Sequence, residues 1–233
     1  MLNLRLSELP ATIMGIYGPN QDILPSRMRF LAPDAAASYL RLERSSHRLR
    51  VSDMWRSAES SLRAGQEKRG VKPPGRSGHN FGFSIDVDVR WLLREYRMSK
   101  AELDAEMARA GWYCHRKDHE IDSECWHYNY FGADPGRYLE AAKPYGSTAA
   151  GLELLVQDRY GQMFTLTPIE IQTALRDMRL YAGEIDGDLG ALSRQALKAF
   201  QRAWHLSETG LAGTDTQRLL AFIGNTRELV PPA

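Results

Sequence analysis

At 233 residues the chain is longer than an average domain but short for two large ones, so length favours one medium domain with one small one. With 43% hydrophobic and 25% charged residues it has the make-up of a soluble globular protein, and no apolar run reaches the roughly 20 residues of a membrane span. A formal net charge of +1, with Lys and Arg scattered among acids, lacks the basic field that nucleic-acid binding uses.

The amino terminus, MLNLRLSELPATIMG, has no basic segment followed by an apolar core and a small-residue cleavage site, so no signal peptide is expected and synthesis should end in the cytoplasm. From Asp34 the stretch DAAASYLRLERSS reads as a helix, with Pro33 before it and the Asp34 carboxylate able to accept from first-turn amides. LRVSDMW follows as a short strand. Ser57 then caps a second helix, SAESSLRAGQEKRG, closed by Gly70. VKPPGRSG is irregular, because two prolines and two glycines interrupt it.

FSIDVDV alternates, placing Phe83, Ile85, Val87 and Val89 on a core face and Ser84, Asp86 and Asp88 on the other. SKAELDAEMARAG is a helix with Ser99 and Glu102 as a capping box and Gly111 at its end. WYCHRKDHEIDSECWHYNY reads as a hairpin. Its two cysteines, Cys114 and Cys125, are too few for a disulfide scaffold and lack CxxC spacing; they are two ordinary thiols, or a cross-strand disulfide if the register aligns them. After Tyr138, AAKPYGSTAAG has a linker's composition, and a second domain opens near Thr167. The expected division is 1–142, a linker over 143–166, and 167–233. Within the last part GDLGALSRQAL and GLAGTDTQRLL repeat, matching Gly187 with Gly210, Gly190 with Gly213, Ser193 with Thr216 and Leu197 with Leu220. Each half reads as a glycine turn, a hydroxyl helix cap and an apolar helix, giving a small all-α, three-helix domain.

The residues that carry chemistry lie in the first part. A catalytic zinc takes three ligands from His, Asp or Glu and keeps a fourth position for water. His79 and Asp86 supply two; ECWH adds Glu124 and His127, a candidate base and a third ligand. Bound zinc brings its water to a pKa of about 7, Glu124 can take that proton, and amide hydrolysis is the expected reaction. Taken singly, each of these side chains would be an ordinary solvated polar residue. His115, Asp118, His119 and Asp122 lack fixed metal-site spacing and read as a solvated turn, and Cys125 is not needed as a ligand.

SGHNFGFSID, with Ser77, His79, Gly82 and Asp86, resembles the SxHxxGxAxD signature of zinc D-alanyl-D-alanine carboxypeptidases and L-alanyl-D-glutamate endopeptidases, and ECWHYNYFG resembles their ExWH motif. The likeness spans roughly Leu31 to Tyr138. It implies a compact α+β fold with an antiparallel sheet flanked by helices, His79, Asp86 and His127 as zinc ligands, and Glu124 as catalytic base. Arg56, in DMWRS, matches an arginine the family carries in a GYRS-like turn, and its forked donors suit a carboxylate or an oxyanion. Ser77 is expected to support the metal site or substrate by hydrogen bonding. Trp126 is expected to pack under the site, with substrate contact as the second reading. Ser84 stands where alanine is usual and Cys125 where proline is commoner, neither with an expected consequence.

The segment IQTALRDMRLYAGEIDGDLGALSRQALKAFQRAWHLSETGLAGTDTQRLL resembles the peptidoglycan-binding domain of cell-wall hydrolases. Asp186, Gly187, Gly190 and Gln201 are expected to be structural there. Together the two resemblances imply a monomeric zinc peptidase that cuts peptidoglycan stem peptides, without nucleic acid or membrane insertion, as a bacteriophage endolysin would. A host carboxypeptidase of wall remodelling, a noncatalytic wall-binding protein and a hedgehog-like zinc fold are the alternatives.

Overall fold

Short strands with one apolar face must pair and bury that face, and the chain does so around a four-stranded sheet. The computed structural model describes residues 6–10, 29–45, 47–67, 72–114, 125–132, 144 and 165–226. Glu124, His115, Asp118, His119, Asp122, Gly70 and Tyr138 lie outside the described residues, as does nearly all of 143–166. The chain divides into two compact units. Residues 5–57 and 76–158 belong to one, and 58–75 with 159–233 belong to the other. The division is not colinear with the chain, since 58–75 joins the carboxy-terminal helices.

In the first unit β1 (Ser7–Glu8) pairs with β2 (Phe30–Leu31), and α1 (Pro33–Ser45) follows. β3 (Val51–Asp53), β4 (Ser84–Val87), β5 (Trp112–Cys114) and β6 (His127–Tyr130) form an antiparallel sheet in the order β3-β4-β6-β5. This mixture of helix and antiparallel sheet is consistent with the expected α+β class. Ile85, Val87, Trp112 and Tyr128 turn to one face, where Leu31, Ala35, Tyr39, Val51, Leu92, Leu103 and Met107 complete the core.

The strand expected to reach Val89 stops at Val87. Asp88 instead caps α3 (Val89–Tyr96), its side chain accepting from Trp91 N at 3.0 Å. Val89 and Leu92, three apart, are the buried residues of that helix. A two-residue alternation cannot show that its last member has changed to helical period. α4 (Lys100–Arg109) begins as expected, with Ser99 and Glu102 in a reciprocal capping box.

In the second unit α2 (Ala58–Glu67) clusters with α5 (Pro168–Asp177), α6 (Ala191–Ala203) and α7 (Thr214–Thr226). Thr167 and Glu170 cap α5 reciprocally. The repeated turns share one polar device. Gly187 N donates to Gln172 Oε1 and Gly210 N to Gln201 Oε1, each at 2.8 Å, and both glycines have positive φ. The amide nitrogen of Gln172 donates to Ser193 Oγ at 3.3 Å, and that of Gln201 to Thr216 Oγ1 at 3.1 Å. The hydroxyls, expected from the repeat to be helix caps, instead bond to the glutamine amides. Gly190 holds the cap of α6 without a side-chain bond, and Ser193 and Thr216, each the third residue of its helix, turn inward to the glutamine. No helix among the described residues is long and apolar enough to cross a membrane.

Candidate metal centre

Cross-strand register builds the site. β4 and β6 place Asp86 opposite His127 and Ser84 opposite Asn129, so all four lie on the sheet face away from the core residues Ile85 and Tyr128. His79 comes from a 3-10 turn, Gly78–Phe81, that runs directly into β4. Ser77 caps this turn by accepting from His79 N at 3.4 Å, and Asn80 Oδ1 accepts from Ser77 N at 3.2 Å. The turn is tied to the segment after β3: Asn80 Nδ2 donates to Arg56 O at 2.8 Å, Trp55 Nε1 to Asn80 O at 3.0 Å, and Arg56 N to His79 O at 3.2 Å. Ser77 thus acts on the site through the backbone of its histidine.

Gly78 lets the turn lie directly on the sheet. A Cβ there would overlap the Ser84 hydroxyl and come within 2.9 Å of Asn129 Oδ1. Both neighbours are buried polar groups with no room to retreat. Gly78→Ala is expected to lower stability by about 1–3 kcal/mol, the usual cost of overpacking, and to weaken metal binding because the clash moves His79. Urea unfolding of the metal-free protein and chelator competition measure the two effects separately.

The histidines are held from behind. His79 is 2% exposed, and its Nδ1 donates to Met54 O at 2.6 Å, which leaves the Nε2 lone pair facing inward. His127 Nε2 lies 3.2 Å from Asn129 Oδ1, so an Nε2–H donates there and Nδ1 faces inward. His79 Nε2 and His127 Nδ1 stand 3.2 Å apart; Asp86 Oδ1 is 3.3 Å from the first and 2.9 Å from the second. One ligand atom from each residue lies within 4.8 Å of the others. Burial alone would push the Asp86 carboxyl up. When the two rings are protonated, the His79 charge and hydrogen bonds from His127 and His79 outweigh it and hold the carboxyl well below the usual carboxylate range.

This donor set fits a divalent cation. With both outer ring nitrogens bonded to acceptors, two imidazole lone pairs point at one another beside a carboxylate, an arrangement a cation satisfies at all three corners. Two imidazoles and one carboxylate suit zinc, with coordination positions left over. His127 and Asp86 side chains are 20% and 16% exposed, so both reach solvent.

Arg56 stands in the same unit, with its Nε 3.1 Å from Asp53 Oδ2 and Nη2 bonded to the same oxygen. Asp53 lies opposite Asp86 across β3 and β4. Burial would lower the Arg56 pKa, but the Asp53 charge and hydrogen bond, backed by Asp86, raise it. One edge of the guanidinium is therefore committed to Asp53.

Trp126 corrects an expectation. It is 42% exposed and does not pack beneath the site. It occupies a turn before β6, where strand alternation does not apply, and the residue turned into the core is Cys125. Cys114 and Cys125 are not joined in a disulfide. Met54, Asn80, Asn129 and Asp53 are site residues the sequence reading passed over. HYNY alternation placed Asn129 on the face of His127, and SGHN is a capping box closed by asparagine; a carbonyl partner such as that of Met54 leaves no sequence signal.

Residues 168–220 match the family model described as "Putative peptidoglycan binding domain". A 55-residue stretch is 34% identical to the N-acetylmuramoyl-L-alanine amidase CwlM of Mycobacterium tuberculosis (strain ATCC 25618 / H37Rv). The match covers 24% of this chain and only 14% of that relative's length. Among solved structures, that of the LdcB LD-carboxypeptidase aligns at 16% identity over 60% of this chain and 75% of that one, with a TM-score of 0.40, a likeness too loose to fix fold or activity. The chain carries a peptidoglycan-binding domain over residues 168–220.

Proposed function

We propose that this chain is a zinc-dependent peptidase that hydrolyses amide bonds in the stem peptides or cross-links of bacterial peptidoglycan, and that it serves as a bacteriophage endolysin. The observation that carries this reading is the convergence of His79 Nε2, Asp86 Oδ1 and His127 Nδ1 in a chain that also has a wall-binding segment. Residues 1–142 would hold the catalytic machinery, 143–166 the linker and 167–233 the wall-binding part, with the protein acting as a monomer.

Zinc in this site supplies Lewis acidity for amide hydrolysis. The chain supplies the rest. Met54 O and Asn129 Oδ1 keep the two imidazoles turned inward. Arg56, held by Asp53, offers its guanidinium to a carboxylate or to charge developing on the scissile carbonyl. Glu124, two residues before the exposed Trp126 in sequence, is the base proposed to take the proton of the attacking water. Trp126, exposed beside His127 in sequence, is assigned to contact with substrate. Attachment through 168–220 raises the effective concentration of stem peptide at the site.

The test is mass spectrometry of purified peptidoglycan digested by the zinc-loaded protein, with Glu124→Ala as control. New amino termini inside stem peptides or cross-links, absent with Glu124→Ala, are the expected result. Loss of terminal D-alanine alone would make the enzyme a carboxypeptidase of wall remodelling and remove the lytic role. No product from wild type would leave only wall binding.

A further inference from the structure

Behind His127, on the side away from the cation position, lie two buried polar side chains that the reaction itself does not use. Ser84 has no exposed surface, and Asn129 is nearly as buried. They face each other across β4 and β6, two residues along from Asp86 and His127 on the same sheet face. Ser84 Oγ donates to Asn129 Oδ1 at 2.5 Å, and the same oxygen lies 3.2 Å from His127 Nε2. One amide oxygen thus accepts two hydrogens, using both its lone pairs.

We propose that Ser84 and Asn129 act as a positioning pair that sets the His127 tautomer, so that the metal-facing lone pair is on Nδ1. Imidazole has one proton to place, and an acceptor at Nε2 draws it there. Reversing the amide would present an NH2 group to Nε2, pull the lone pair outward and put the proton on Nδ1, facing Asp86. The Ser84 hydroxyl, donating to Oδ1, favours the orientation in which oxygen faces both neighbours. His79 obtains the same outcome from a backbone carbonyl that cannot rotate. His127 depends on a rotatable amide, which is why its partner needs one of its own. Gly78 is the space in which this pair sits, since a side chain there would strike both members. Outer partners of this kind typically govern metal affinity by about 10–100-fold.

The inference rests on the metal-centre reading, and affinity measurements separate the two. Zinc affinity is measured by chelator competition, and the visible spectrum of the cobalt-loaded protein reports coordination geometry. Thermal midpoints of the metal-free proteins monitor folding. Asn129→Leu is expected to weaken zinc binding about 10–100-fold and to alter the cobalt spectrum. Asn129→Asp keeps an acceptor at Nε2 and should bind near the wild-type level. Ser84→Ala is expected to weaken binding by a smaller factor in the wild-type background and to have no further effect on Asn129→Leu, because both act through one histidine.

Unchanged zinc affinity and cobalt spectrum in Asn129→Leu would overturn the pair's role while leaving the metal centre in place. Equal losses in Asn129→Asp and Asn129→Leu would also overturn it, since an acceptor would then not matter. Failure of the wild type to bind zinc or cobalt would instead remove the metal centre itself. Where Asn129→Leu does not fold, the Ser84→Ala and Asn129→Asp comparison decides.

Discussion

Asp86→Ala abolishes stable zinc uptake while the sheet remains folded: this is the expected result of the most direct substitution in the metal centre. The carboxylate is the only anionic member of the set, and its Oδ1 is the atom on which both imidazoles converge, 2.9 Å from His127 Nδ1 and 3.3 Å from His79 Nε2. Removing it leaves two neutral nitrogens on a divalent cation in a partly enclosed site, with no charge to offset desolvation. The loss of affinity should exceed the roughly 10–100-fold typical of an outer partner, because a direct ligand is deleted. The fold is spared for a geometric reason. Asp86 lies on the site face of β4, while Ile85 and Val87 on either side remain in the core, and a small, partly exposed side chain leaves no internal cavity.

Isothermal titration of the metal-free protein with zinc, paired with far-ultraviolet circular dichroism, reads both halves of this prediction. Retained zinc affinity near the wild-type value would show that the cation sits elsewhere. Loss of secondary structure would show that Asp86 also holds β3 and β4 together, which its position opposite Asp53 makes the competing explanation. A cation that binds the folded state alone also adds stability by mass action, so chelation should lower the thermal midpoint of wild type and leave that of Asp86→Ala unmoved.

The two approaches to this site differ in what they can see. His79, Asp86 and His127 were legible because each falls in a local pattern, a glycine-flanked turn or an alternating strand, that fixes its face before the tertiary structure is known. Asn129 was equally legible, two residues beyond His127 on the same face. Met54 was not, because its contribution is a backbone carbonyl brought in by packing. Asp53 ends β3 and Arg56 lies three residues on in the irregular segment after it, so their pairing is not implied by any helical or strand period. The helix Val89–Tyr96 was hidden by the alternating run that leads into it, and Trp126 by its place in a turn. Why 58–75 clusters with the carboxy-terminal helices is equally invisible locally. The segment reads as an ordinary capped helix and a Pro-Gly loop, and only long-range packing, such as Gly75 against Arg218 and Leu219, decides which core it joins.

Asp104→Ala should destabilise the sheet unit by about 3–5 kcal/mol, the usual cost of leaving one member of a buried ion pair behind. Lys100 and Asp104 are 4% and 8% exposed, one turn apart on α4, with Nζ and Oδ1 2.5 Å apart. The same carboxylate oxygen accepts from Tyr128 OH at 2.6 Å, and burial together with the Asp104 charge pushes that phenol well above its ordinary pKa, so it stays a donor. The ammonium's other neighbours, Cys114 Sγ at 3.4 Å and the Tyr128 ring at 5.2 Å, do not replace a carboxylate. Removing Asp104 therefore strands a cation between α4 and β6 or forces it to shed its proton, and both outcomes cost stability. The double variant Lys100→Met with Asp104→Leu removes both charges at similar volume. It should recover most of the loss, short of the roughly 1–3 kcal/mol that an unpartnered Tyr128 hydroxyl costs. Urea unfolding of the metal-free proteins tests this. A single-variant loss below about 1 kcal/mol, or a double variant no better than the single, would show that the pair does not tie helix to strand. Tyr128 follows His127 on β6 and faces the other side, so the strand that presents the metal ligand is anchored through its back by this pair. Asp104→Ala should thus lose metal only as it loses the fold, the reverse of Asp86→Ala, which loses metal and keeps the fold.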